Sequence, residues 1–177
     1  MIDVGVQGRT LRRVVVVGPG GSGKSTLARR LGDRLQLPVI HMDAEFWRPA
    51  WQQPSQAEWE QRVEQLVRGE AWVMDGAHRD SLHRALTRAE VVVVLDPTPI
   101  VIMLRLLVRR CLGRRRADLR LPERLTRAFL IETWTYRRRL KPDVVAAARA
   151  SRIELIVLHN SAHVETWLAA FGGRGKA

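Results

Sequence analysis

The sequence predicts an α/β fold, a five-stranded parallel sheet with helices on both faces, and three observations predict it. Residues 13–17 are a β-branched run that breaks into glycines and then into a helix-patterned segment. Four further short apolar runs alternate with helical patterns, the arrangement that yields parallel strands joined by crossover helices. Of the 177 residues, 46% are hydrophobic and 27% charged, which supports a real core and excludes wholesale disorder.

Each element has its own signal. Residues 1–12 carry no periodicity and read as a flexible lead. Valines 14–17 suit a strand buried on both faces. Over 24–35, Leu27, Leu31 and Leu35 share one helical face. A second strand covers 38–41. Ser55 and Glu58 form a capping box for a helix that Gly69 stops near residue 68. A strand over 71–74, a helix over 79–88 and a strand over 90–95 follow. Thr98 and Pro99 supply the cap and first turn of a helix reaching about residue 110. The arginine-rich, unpatterned stretch beyond it reads as a lid at about 111–121. Pro122 opens a helix to about residue 140, Pro142 a separate short one, and 153–158 is the fifth strand. Ser161 caps a last helix to about residue 171, and 172–177 reads as a flexible tail. The expected organisation is one domain over 13–171.

Composition narrows the function classes. No apolar run approaches the ~18 residues of a membrane span. The first apolar run leads into a glycine turn rather than a cleavage site, and Cys111 is the sole cysteine, so a cytoplasmic protein is expected. The formal net charge is +12, and since only Lys24, Lys141 and Lys176 among the 30 basic residues are lysines, 27 are arginines. Arginine's planar fork suits phosphate and carboxylate recognition. A genome-wide arginine bias would give the same count.

Gly18-Pro19-Gly20-Gly21-Ser22-Gly23-Lys24-Ser25 matches G-x-x-x-x-G-K-[ST] between a predicted strand and helix, which is the context a P-loop requires. Glycines let consecutive N–H groups line a concave nest at a helix N-terminus, where an anion is favoured. The expected cofactors are therefore ATP and Mg²⁺. Gly18, Gly20, Gly21, Ser22, Gly23, Lys24, Ser25 and Thr26 would cradle the phosphates, with Lys24 at the β- and γ-phosphates and Ser25 on the metal. Asp75 ends the third strand at the sheet edge where ligands gather, and reads either as a Walker-B-type aspartate holding the metal through water or as a helix N-cap. Asp43 follows the second strand onto the same edge, as a group for an acceptor hydroxyl or as a turn aspartate. Arg79, Arg114 and Arg115, with Arg109, Arg110, Arg116 and Arg120 nearby, would either neutralise a moving phosphoryl group or form a solvated basic face. Phe46, Trp47, Trp51 and Trp59 make an aromatic cluster suited to packing, with stacking on a ring the second use. The five histidines and Cys111 show no zinc spacing.

The P-loop, the segment His41-Met42-Asp43-Ala44-Glu45-Phe46-Trp47-Arg48-Pro49-Ala50-Trp51, then Trp72-Val73-Met74-Asp75-Gly76 and Leu95-Asp96-Pro97 resemble the small adenylate-kinase-like P-loop proteins. More narrowly they resemble the bacterial DNA topology modulation family, over about residues 13–171, with H-x-D-x-x-F-W-x-P-x-W the discriminating stretch. The resemblance implies a nucleotide-kinase-like P-loop NTPase fold with an arginine-rich lid. Two departures stand out: Ala50 where the family tends to have Gly, and Ala77-His78 where it has Asn-Tyr. Adenylate kinases carry D-G-F-P-R, of which Asp75, Gly76 and Arg79 are present, so AMP is not the expected acceptor. The expected activity is Mg-ATP-dependent phosphoryl transfer to a small acceptor near Asp43, Arg79, Trp47 and Trp51. The alternative is a nucleic-acid-binding ATPase or polynucleotide 5′-hydroxyl kinase.

Overall fold

Strands β1 (Arg13–Val17), β2 (Val39–His41), β3 (Trp72–Asp75), β4 (Val91–Leu95) and β5 (Glu154–Leu158) form one sheet in the order β2-β3-β1-β4-β5, every pair parallel. This is a computed structural model, and it describes residues 10–76, 79–112 and 126–169. The period of two in β1 explains how the sheet is covered. Val14 and Val16 enter one apolar cluster with Leu27 and Leu31 of α1 (Lys24–Leu35) and Trp167 and Leu168 of α7 (Ser161–Ala169). Val15 and Val17 enter another with Trp59 and Val63 of α3 (Gln56–Val67), Leu82 and Leu86 of α4 (Arg79–Leu86), and Val144 and Ala148 of α6 (Arg127–Ala150). The remaining helices are the five-residue α2 (Met42–Phe46) and α5 (Pro99–Cys111).

Because β3 and β4 flank β1 on opposite sides, the connection leaving β1 stands at a topological switch point, where an open α/β sheet offers a crevice. The P-loop occupies that connection. The capping box at Ser55 and Glu58 forms as predicted, and its hydrogen bonds with the neighbouring Arg48 hold the Glu58 carboxyl down to about 2.

Three local expectations are corrected. Residues 127–150 form one helix, not two, with Pro142 inside it. The proline forfeits the bond to the carbonyl of residue 138, at a cost of about 3 kcal/mol. Beyond it, Val144 and Ala148 are buried where α6 packs on β5 and α4, and burial of that kind is worth enough to keep the helix going. At α7 the capping oxygen belongs to Asn160, whose Oδ1 accepts from His163 N at 2.8 Å, while Ser161 is already helical. Thr98 sits at the α5 N-cap without a side-chain cap bond. Residues 49–51 form a short 3₁₀ turn in which Ala50 has φ 59° and ψ 24°. That is the left-handed region, disfavoured by roughly 1–2 kcal/mol for a residue with a Cβ, a cost that glycine at this position would not carry.

Candidate functional site

A nest of inward N–H groups turns its carbonyls outward, and each outward carbonyl needs a donor. In the loop after β1 these donors can be named. Pro19 O accepts from Ser22 N at 3.2 Å and from Lys24 Nζ at 3.1 Å, and Gly23 O accepts from Leu27 N at 3.0 Å. Ser22 O accepts from Arg105 Nη1 at 3.0 Å. Gly21 at φ 78° and Gly23 at φ 100° reverse the chain in a region closed to most side chains. No side chain caps the start of α1, so its first-turn N–H groups remain available to an anion.

The loop is wedged from three sides. A Cβ on Gly18 would lie 2.7 Å from the Leu95 carbonyl, one on Gly21 2.9 Å from Leu106 Cδ2, and one on Gly20 2.3 Å from Phe129 Cζ, whereas one on Gly23 would meet open space. Gly20 has no positive φ, so a Cβ there would be opposed by packing, first by the half-buried Phe129 ring and then by Thr133 Oγ1 at 3.3 Å. Gly20→Ala is expected to lower stability by about 1–3 kcal/mol, the usual penalty of overpacking. Adding Phe129→Ala should recover most of it. Thermal melts of the single and double variants check this, and a double variant no better than the single one counts against it.

Asp75 is buried, only 4% exposed, and sits at the end of β3. The parallel register sets it opposite His41, the last residue of β2, and His41 Nδ1 lies 2.8 Å from Asp75 Oδ2. Asp75 Oδ1 is buried with no hydrogen-bond partner among the described residues. His41 was missed as a site residue by sequence reasoning. The usable signal was that His41 and Asp75 end parallel strands on the same edge. Asp43, two residues further on, is half-buried in the first turn of α2.

Asp96, just past β4, gathers the second charged group. Its carboxylate accepts from Arg137 Nε and Lys141 Nζ, both at 2.6 Å, with His159 Nδ1 at 3.4 Å, and its carbonyl accepts from Arg137 Nη2. Burial and this nearby negative charge push the Tyr136 phenol well above its ordinary range. Phe46, Trp47, Trp51 and Trp59 pack on one another edge to face, Phe46 against Trp47 and Trp59, and Trp47 against Trp51. Beside them a cavity of about 300 Å³ is lined by Glu45, Arg48, Glu58 and Arg62, already paired as Arg48 with Glu58 and Arg62 with Glu45.

The fold thus brings the loop 18–26 and Asp75 to one edge of adjacent strands, with Asp43 on the same edge. Ser22 is buried, and its hydroxyl has no partner among the described residues. Ser25 is half-buried and Thr26 exposed. Arg79 opens α4, but its side chain, together with Arg114 and Arg115, lies outside what the structure describes. Among the described residues there is no cluster of three or more His, Cys, Asp or Glu side chains able to hold a metal, and no helix is long and apolar enough to cross a membrane.

Solved structures of similar fold include shikimate kinase from Acinetobacter baumannii in complex with shikimate, with 17% identity, TM-score 0.55, and 93% of this chain and 92% of that one covered. A gluconokinase from Sinorhizobium meliloti 1021 has 16% identity, TM-score 0.54, and 93% of each chain covered. A sugar kinase from Janibacter sp. HTCC2649 has 20% identity, TM-score 0.54, and 90% of this chain and 95% of that one covered. No curated protein matches the sequence. The β2-β3-β1-β4-β5 sheet with its P-loop at the switch point is the nucleotide-kinase-like fold, and a family model described as an AAA domain matches residues 14–166, so the chain belongs to the AAA domain family.

Proposed function

We propose that the protein is a Mg-ATP-dependent phosphotransferase acting on a small hydroxyl-bearing acceptor. The observation that carries this reading is the loop itself: a glycine nest with its carbonyls tied outward, Lys24 held at its rim, and buried Asp75 on the adjacent strand. Structures of similar fold that are described as kinases of shikimate, gluconate and sugars support the acceptor class.

Mg²⁺ fits the donors present. The Ser25 hydroxyl and the unpartnered Asp75 Oδ1 are hard oxygens, and Mg²⁺ commonly takes one or two protein oxygens plus phosphates and water. When bound, the metal would neutralise charge on the β- and γ-phosphates. The chain's own residues do the rest. Backbone N–H groups of the loop hold the triphosphate, and Lys24 leaves Pro19 O for the β- and γ-oxygens. The acceptor oxygen attacks the γ-phosphorus in line as the bond to the β,γ-bridging oxygen breaks, giving ADP. Asp43 takes the acceptor's proton, while Arg79, Arg114 and Arg115 counter the charge on the transferring group.

The narrower resemblance to the DNA topology modulation family, with the +12 charge, keeps a nucleic-acid-binding ATPase or polynucleotide kinase as the second reading. One experiment separates the two. The parent and a variant with Arg114, Arg115 and Arg116 all changed to Ala are assayed for ADP formation from Mg-ATP with shikimate, gluconate and a set of sugars, and for duplex DNA binding against salt. The first reading expects a hydroxylated acceptor to stimulate ADP formation and the triple variant to lose ~10³-fold in turnover. The second expects intact turnover and a flattened salt dependence, each lost phosphate contact removing about 0.9 from the slope of log K on log salt. Failure of the parent to bind Mg-ATP would remove both.

A further inference from the structure

Helix α5 meets the P-loop through residues one turn apart. Ile102 and Leu106 are buried against Gly21, and Arg105 between them sends Nη1 to the Ser22 carbonyl at 3.0 Å and Nη2 to Ser161 Oγ at 3.1 Å. The Ser22–Gly23 peptide is trans, as are all peptide bonds described, so its C=O and N–H point in opposite directions. A carbonyl drawn toward α5 therefore turns the Gly23 N–H away from α5. Gly23 is the position with φ 100° and open space at its missing Cβ, so no packing of its own side chain fixes that peptide. Without a donor on Ser22 O, the described bonds that restrain this peptide are the flanking ones, Ser22 N to Pro19 O and Leu27 N to Gly23 O.

We infer that Arg105 is a positioning residue for the phosphate cradle: its guanidinium, braced on Ser161 at the start of α7, locks the Ser22–Gly23 peptide so that the Gly23 N–H faces the triphosphate. This rests on the reading of the loop as a triphosphate site. Arg105 acts through the peptide, which distinguishes it from the lid arginines expected to touch the phosphates themselves. Its two anchors come from elements distant in sequence, 83 residues back to the loop and 56 forward to α7. The helix end and the loop are thereby tied by one planar group, a task for which a two-pronged donor is suited and a lysine is only half equipped.

The test uses Arg105→Ala and Arg105→Lys, with calorimetric binding of Mg-ATP and of Mg-tripolyphosphate, a probe with no base or ribose. Arg105→Ala is expected to weaken both by about tenfold, the factor that goes with one charge-assisted hydrogen bond. Arg105→Lys should restore most of that, since one donor suffices for Ser22 O. In the ligand-free protein the Gly23 amide should acquire microsecond-to-millisecond exchange in ¹⁵N relaxation dispersion in Arg105→Ala and not in Arg105→Lys. Thermal melts run alongside. Should the alanine variant fail to fold, Arg105→Met, which keeps bulk but carries no donor, takes its place with the same expectation. Unchanged binding of both ligands overturns the inference, as does a loss confined to Mg-ATP, which would put the effect at the nucleoside. A parent that binds neither ligand overturns the reading of the loop and this inference with it.

Discussion

Lys24→Ala is expected to cut Mg-ATP affinity and turnover by about 10²–10³-fold while leaving the melting curve nearly where it was. The size follows from removing a cation aimed at charge that grows during transfer, comparable with loss of a preorganised donor in a water-excluded site. The fold should survive because the Lys24 ammonium, among the described residues, bonds Pro19 O, which Ser22 N also serves. Calorimetry on the refolded variant decides it. Equal affinity in variant and parent would mean that the loop holds no triphosphate, whatever its sequence.

His41→Ala should do the reverse, changing stability most. Asp75 is buried, and among the described residues its Oδ2 has His41 and its Oδ1 has no partner. Leaving a buried acceptor without its donor typically costs about 1–3 kcal/mol. At about 2–4 °C per kcal/mol for a chain of this length, a fall of about 4–8 °C is expected for a cost of about 2 kcal/mol. His41→Asn, whose amide can donate from nearly the Nδ1 position, should regain more than half. A His41→Ala melt within 1 °C of the parent would show that Asp75 does not depend on the imidazole.

The strands and their order of burial were legible because the signal is local. Four valines in a row admit only a strand covered on both faces, and the break at Gly18 is marked by residues that do little else. The start of α1 at Lys24 and its end at Leu35 were readable for the same reason. Pairings across the sheet were not. His41 meets Asp75 across 34 residues and Asp96 meets Arg137 and Lys141 across 41 and 45, distances at which no periodicity carries information. Pro142 misled in the other direction, since a local rule that ends helices was overridden by Val144 and Ala148 finding the sheet. The glycine at position 20 was read as a phosphate-loop requirement, yet what crowds it is Phe129, 109 positions away.

Pro142 also divides α6 by the kind of force that holds it. On the far side, Val144 and Ala148 are gripped by apolar contact, which added salt strengthens if it changes it at all. On the near side Thr133 and Tyr136 are buried as well, and the helix is also tied to the end of β4 through Arg137 and Lys141 on Asp96, with Arg137 the most open to solvent of the three; this is the half whose Phe129 leans on the phosphate loop. Ionic strength therefore acts on the two halves unequally. The near half of α6 thus joins the end of β4 to the phosphate loop through one shared carboxylate and one aromatic ring.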